Sequence, residues 1–241
     1  MWLSFGVICL SLHVRMGFFV RIIMVLVPML FPLGAMAQSF FVTQNIAYSD
    51  KGDKRTSYSA KVEFPVEGSG KALESVREWI CDMLGVDKPK HLDVSRFRDL
   101  LRDCCGAYLM EAEGMARKIV VERSFEDENC VTFEATITDE DHEKWMCQDC
   151  ATFSKRDGHR LSVDEIFNCG EEKVKELMWA YRGDLPMEVE SAEELVVGNA
   201  GYIDGWIIVI GPAFHYTGAA YKIRYEEVEE YVNKGISGGY H

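Results

Sequence analysis

The chain has 241 residues and carries 39 acidic against 26 basic side chains, a formal charge of −13. So acidic a surface repels the phosphates of nucleic acid and of anionic lipid, which excludes both as partners. Past residue 37 the length suits one sizeable domain or two small interlocked ones.

Residues 1–37 hold two formal charges, Arg15 and Arg21, both basic. An apolar run over 22–33 follows and ends in Gly34-Ala35-Met36-Ala37, a small-x-small pattern before Gln38. A basic flank, a short apolar core and an A-x-A site are the parts of a secretory signal peptide. A membrane anchor would need about 20 apolar residues. This run is shorter, contains Pro28 and Pro32, and ends in small residues. Counted from Met16 the leader has ordinary length. Cys9 falls inside it, and Gln38 rather than a cysteine follows the cleavage site, which argues against a lipid anchor. The expected product is exported, periplasmic or secreted, with no stable membrane insertion once the leader is removed. Without Arg15 and Arg21 the chain has 24 basic and 39 acidic side chains, a charge of −15. A basic protein or a cation is the natural electrostatic partner of such a surface, although acidity also serves solubility alone.

In chain order, "FFVTQNIAY" and "SYSAKVEFPV" are strand-like, joined by the polar turn "SDKGDKR". "GKALESVREWICDMLG" and "DVSRFRDLLRDCCGAYLMEAEGMARK" read as helices with Pro89 between them, and Asp93 stands ready to cap the second. Strands follow in "KIVVERSF", "CVTFEATIT" and "KWMCQDCATFS", then the turn "KRDG", the short helix "VDEIF" and the helix "EEKVKELMWAYRG". "VVGNAGYIDGWIIVIG" supplies a strand pair, "AAYKIRY" another strand and "EEVEEYV" a closing helix. This pattern predicts an α+β fold, antiparallel sheets with helices packed on one side. The expected organisation is a leader over 1–37, a strand pair and two-helix region over 38–118, and an α+β region over 119–241, the last two packed as one unit.

Seven cysteines follow the leader: Cys81, Cys104, Cys105, Cys130, Cys147, Cys150 and Cys169. In an oxidising compartment they are expected to be structural, with disulfides drawn from Cys130, Cys147, Cys150 and Cys169 and at least one thiol left over. A metal alternative takes Cys147, Cys150, His159 and Cys169 as four ligands, but the second half lacks the paired spacing of a zinc clamp. A redox alternative needs the C-x-x-C to open a helix, whereas "CQDCATFS" reads as strand. If the two helices form a hairpin near Lys88, Cys104 falls about seven residues, roughly 10 Å, beyond Cys81's level. That is too far for a bridge, so Cys81 is expected in the core.

Three stretches resemble a known family. "YSAKVEFPVEGSGKALESVREWI" is similar to its strand, Pro turn and long helix. "ATFSKRDGHRLSVDEIF" resembles its F-x-x-x-x-G-x-x-L-S-L-x-D/E-L-F segment through Phe153, Gly158, Leu161, Ser162, Val163, Ile166 and Phe167. "GPAFHYTGAAYKIRYEEVEEYV" is similar to its aromatic loop, strand and closing helix. The family is the bacterial exported domain of RsiV-type anti-sigma factors and PdaC-type peptidoglycan deacetylases. The resemblance implies a stand-alone extracytoplasmic binding or sensing domain; in the anti-sigma branch the domain recognises lysozyme, a basic protein. Where family members carry Gly-Gly-Ala-His-Gly, this chain reads Asp139-Glu140-Asp141-His142-Glu143, so that loop's role does not carry over.

Two functions of different class follow. The first is an exported binding or sensing module for a basic, lysozyme-like protein or a cell-wall glycan, without a cofactor. Its candidate surface is the aromatic group Tyr202, Trp206, Phe214, His215 and Tyr216, since aromatic residues are enriched in interfaces. The second is an envelope hydrolase or metal-dependent enzyme centred on His142 and its carboxylate neighbours. No catalytic signature such as G-x-S-x-G supports it.

Overall fold

The computed structural model describes residues 40–52, 55–140, 144–183, 189–213 and 216–233; the expected leader over 1–37 lies outside them. Runs rich in Val, Ile, Tyr and Phe form five strands paired in chain order. They are β1 (Val42–Lys51), β2 (Ser57–Glu67), β3 (Ala116–Glu126), β4 (Cys130–Glu140) and β5 (Lys144–Ser154). The pairs are antiparallel except β2 and β3, which run parallel from Ser57 opposite Ala116 to Val62 opposite Val121. A parallel neighbour requires a crossover, and two helices supply it: α1 (Gly70–Met83) and α2 (Val94–Glu111).

Period-two alternation decides what faces those helices. Val131, Phe133 and Ala135 of β4 and Ala151 and Phe153 of β5 join Val62, Phe64, Ile119 and Val121 in one core with Val76, Ile80, Phe97 and Leu101. The Phe64 ring stacks on Phe97 with centroids 4.3 Å apart. Trp79 meets Phe153 edge to face at 6.4 Å. Cys81 sits in this core at 0% exposure, where burial pushes its thiol up to about 11. Asp93 caps α2 by accepting the Arg96 N–H at 2.8 Å, a contact worth about 1 kcal/mol. The helix ends at Glu111, short of the expected run to Lys118: Ala112 already takes extended backbone, and Gly114 at φ +76° then turns the chain into β3.

A second, three-stranded antiparallel sheet contains β6 (Ala200–Ile203), β7 (Trp206–Ala213) and β8 (Tyr216–Arg224). One of its faces, through Tyr202, Ile207, Val209, Tyr221 and Ile223, packs on α3 (Val163–Ile166) and α4 (Glu171–Ala180). From the other face Ile203, Ile208 and Ile210 meet Cys150 of β5. The second sheet therefore covers the side of the first that α1 and α2 leave open. Gly201 permits the closest approach: a Cβ there would stand 2.8 Å from Thr132 Cγ2 and 3.0 Å from Thr152 Oγ1. The Thr132 and Thr152 hydroxyls satisfy each other across this buried junction at 2.8 Å. The molecule is α+β as expected, each sheet having its helices on one side, with one parallel pair inside the larger sheet. Among the described residues no helix is long and apolar enough to cross a membrane.

Candidate functional site

The last described segment, α5 (Tyr225–Val228) and a 3₁₀ turn (Glu229–Tyr231), is fastened to α3 and α4. Phe167 and Val232 form a β-bridge, and the Asn168 N–H donates to the Tyr231 carbonyl at 2.8 Å. Asn233 returns the contact by donating through its backbone to Ile166 O and through Nδ2 to Glu165 O, both at 2.9 Å. The Lys173 ammonium lies 5.2 Å from the Tyr231 ring centroid, and the Tyr181 hydroxyl donates to Glu227. Two segments distant in sequence thus share one face.

That face is acidic because each helix buries a narrow apolar stripe and leaves its charges outside. Val174, Leu177 and Met178 point inward from α4, and Tyr225 and Val228 from α5. Outside stand Asp164, Glu171, Glu172, Glu176, Glu226, Glu227, Glu229 and Glu230. Over 161–180 and 225–231 the sequence counts nine carboxylates, Glu165 included, against Lys173 and Lys175. Both lysines are engaged locally, with Glu176 at 2.9 Å and Glu171 at 3.0 Å, and Glu165 meets His159 at 2.8 Å, so carboxylates outnumber cations on this face.

The acidic group expected around His142 is built differently. His142 lies outside the described residues. Asp139, its nearest described carboxylate beside Glu140, turns inward at 1% exposure. It accepts Arg117 Nε at 2.8 Å and Nη2 at 2.6 Å, a bidentate pair that raises the guanidinium pKa. The Tyr108 ring, 4.6 Å from the Arg117 guanidinium, covers the pair, and Tyr58 packs on Tyr108 at 5.7 Å. Burial pushes the Tyr58 phenol up, and among the described residues neither the Tyr58 nor the Tyr108 hydroxyl has a hydrogen-bond partner. Asp139 is therefore held by an arginine, not presented to a metal or substrate.

The expected aromatic surface is only partly placed. Tyr202 is not at the surface: β6 alternation turns it inward at 0% exposure, against Phe125 at 5.7 Å. Trp206 is half-buried, 5.4 Å from the Arg224 guanidinium. Phe214 and His215 lie outside the described residues, as does the side chain of Tyr216 in β8.

All seven cysteines from Cys81 onward are thiols in this structure. Cys147 and Cys150 are three apart on β5 and so point to opposite faces, which rules out joint chelation or a bridge between them. Cys130 pairs with Ser154, four residues from Cys150 and about 13 Å along the strand, beyond disulfide reach. Cys130, buried at 0%, packs in the second core, and Cys169 packs partly buried against it. The metal set of Cys147, Cys150, His159 and Cys169 is not assembled. Among the described residues no group of three or more His, Cys, Asp or Glu side chains could hold a metal. His159 is engaged elsewhere: Nδ1 meets Asp157 Oδ1 at 2.6 Å and Nε2 meets Glu165 Oε1 at 2.8 Å. Only an imidazolium donates from both nitrogens; the two carboxylates accordingly push its pKa up. Glu165 also closes a capping box with Ser162, which sets α3 and draws the carboxyl pKa down. The sequence signal for this brace was S-x-x-E following D-x-H.

No protein-family model matches the chain, and no curated protein matches it by sequence. Solved structures do resemble it. A DUF3298 family protein from Pseudomonas aeruginosa superimposes with a TM-score of 0.53 at 12% identity, covering 84% of this chain and 99% of its own. A DUF3298 member from Bacteroides fragilis gives a TM-score of 0.54 at 12% identity, covering 81% of this chain and 95% of its own. At that identity the likeness establishes a common fold.

Proposed function

We propose that the chain is an extracytoplasmic binding or sensing module whose ligand is a basic protein. The observation that carries the reading is the joined acidic face, with nine carboxylates against two lysines on α3, α4, α5 and the 3₁₀ turn. Charge of one sign on adjoining helices attracts an oppositely charged partner, speeds encounter and selects against acidic competitors. The leader-like N-terminus, the residue resemblance to RsiV-type and PdaC-type exported domains, and a fold shared with DUF3298 proteins support the same reading.

Binding of purified protein to immobilised lysozyme, used as a basic probe, tests it. The expected result is saturable binding without turnover that weakens about tenfold between roughly 50 and 200 mM salt, as screening shortens the reach of the face. Absence of binding at low salt, or binding indifferent to salt, would contradict the proposal.

A further inference from the structure

The outer strands of the two sheets are finished differently. On β5 the following turn closes the edge: the Ser154 N–H donates to His159 O at 2.9 Å and the Leu161 N–H to Thr152 O at 2.7 Å. Arg160 Nη2 adds a bond to Cys150 O at 2.7 Å. On β8 the Ala220 N–H donates to the Gln148 side chain at 3.1 Å. β1 is left open. It is the outermost strand of its sheet, and among the described residues no strand lies beyond it.

Hydrogen-bond alternation fixes which groups of β1 face outward. The Ser57 N–H points away from β1, to Met115 O at 3.0 Å, and the Gly52 N–H donates to Thr56 O at 3.0 Å. Even-numbered residues from Gln44 to Asp50 therefore bond to β2, while Thr43, Asn45, Ala47 and Ser49 direct N–H and C=O to the open side. The Lys51 N–H, next in that row, is met by Asp50 Oδ1 at 2.8 Å. Asn45, Ala47 and Ser49 are all exposed. Proteins keep such edges apart with charge, proline or a bulge. β1 has a bulge between Val42 and Thr43 at one end and the charges of Asp50 and Lys51 at the other. Residues 43–49 between them carry neither charge nor proline, in a chain that is 27% charged.

We propose that β1 pairs antiparallel with β1 of a second copy, joining two five-stranded sheets into one. The register with Ala47 on the two-fold axis suits the strand. Ala47 then faces its own counterpart, Asn45 faces Ser49, and Ile46 faces Tyr48 on the side covered by the helices. A β-branched residue opposite an aromatic one is a favourable cross-strand pair. Asp50 faces Gln44 and Lys51 faces Thr43, so no like charges stand opposed. The outward groups of Asn45, Ala47 and Ser49 exchange about six hydrogen bonds. A foreign strand could gain the same backbone bonds, but a second copy also supplies the matched side chains. The pairing uses β1 alone, so it stands or falls independently of the acidic face.

Sedimentation of the purified protein at rising concentration, at roughly 50 and 300 mM salt, tests the pairing. The expected result is a reversible monomer–dimer equilibrium that strengthens with salt, because screening relieves repulsion between two acidic copies meeting at an uncharged strip. Salt thus acts opposite to its effect on lysozyme binding. Amide hydrogen exchange at Asn45, Ala47 and Ser49 should slow as the dimer forms, while Ile46 and Tyr48, bonded to β2, are protected throughout. Ala47→Pro removes an outward N–H, a place where edge strands accept proline, and should abolish the dimer. Ala47→Lys sets like charges against each other on the axis and should weaken the dimer about tenfold or more with Tm unchanged. It decides the matter if the proline variant does not fold. A protein monomeric at every concentration, a dimer that survives Ala47→Lys, a dimer weakened by salt, or one whose Ala47 amide still exchanges freely would overturn the proposal.

Discussion

The five-stranded layer and the outer helices of the second sheet use charge in opposite ways. In the first, Arg117 embraces Asp139, Arg123 and Lys155 converge on Glu126, and Lys88 and Arg77 reach Glu74. These cations are placed where they fasten strand to strand or helix to loop. In the second, carboxylates line α4, α5 and the 3₁₀ turn with two lysines to oppose them, and apolar stripes and backbone hydrogen bonds do the fastening. Charge that holds a fold together is matched and partly buried. Charge in excess at the surface adds little to the fold and is available to a partner.

Breaking a matched pair should have the largest effect. Arg117→Ala leaves the Asp139 carboxylate buried without its guanidinium and is expected to cost about 3 kcal/mol in urea unfolding. Arg117→Met with Asp139→Leu should recover most of that. A loss under about 1 kcal/mol for the single variant would mean that water compensates Asp139 and that the pair is not structural. Next comes the contact between the sheets. Gly201→Ala drives a methyl against Thr132 and Thr152 and should cost about 1–3 kcal/mol. Adding Thr132→Ser, which removes the Cγ2 methyl, should return part of it. Full stability of Gly201→Ala would show that the two sheets stand further apart.

The smallest effect concerns pH. His159 is held as an imidazolium by Asp157 and Glu165, so its folded pKa is raised above the unfolded value of about 6.5. A raised pKa contributes stability that is fully present below about pH 6.5 and is lost as pH rises through the folded value. Wild type should therefore exceed His159→Gln in stability at pH 5–6, with the gap closing at higher pH. Because His159 is 41% exposed, solvent screening keeps that gap small. NMR titration of the ring checks the direction, and a midpoint at or below 6.5 would remove the brace.

Strand and helix positions were largely legible. β5 and α1 follow from alternation and apolar spacing, and Asp93 announced its own cap. The parallel pairing of β2 with β3 was not read, although two helices between two strands are the crossover such a pair requires. The helix formers in "EAEGMARK" extend the expected α2 beyond Glu111, whereas the extended Ala112 and the positive φ of Gly114 end it. The acidic face was half legible. "EEKVKELMWAYRG" and "EEVEEYV" each advertised their charge, but that they adjoin is set by the Phe167–Val232 bridge and the hydrogen bonds of Asn168 and Asn233, which no local pattern announces. The bulge between Arg123 and Phe125 was invisible, since it depends on pairing register and leaves no residue signature. Tyr202 was misplaced because one aromatic run contains both faces of β6, and alternation assigns it to the core.

The most direct test of the central claim compares two variants that remove equal charge. One carries Glu→Gln at Glu172, Glu226, Glu229 and Glu230 on the acidic face. The other carries Glu→Gln at Glu67, Glu78, Glu122 and Glu128, exposed on the five-stranded layer and its helices. Surface changes of this kind should leave stability within about 0.5 kcal/mol in both. Lysozyme affinity at low salt should fall about tenfold or more in the first and stay within about twofold of wild type in the second. Equal losses in the two would show that net charge alone drives binding, and the acidic face would then not be a site.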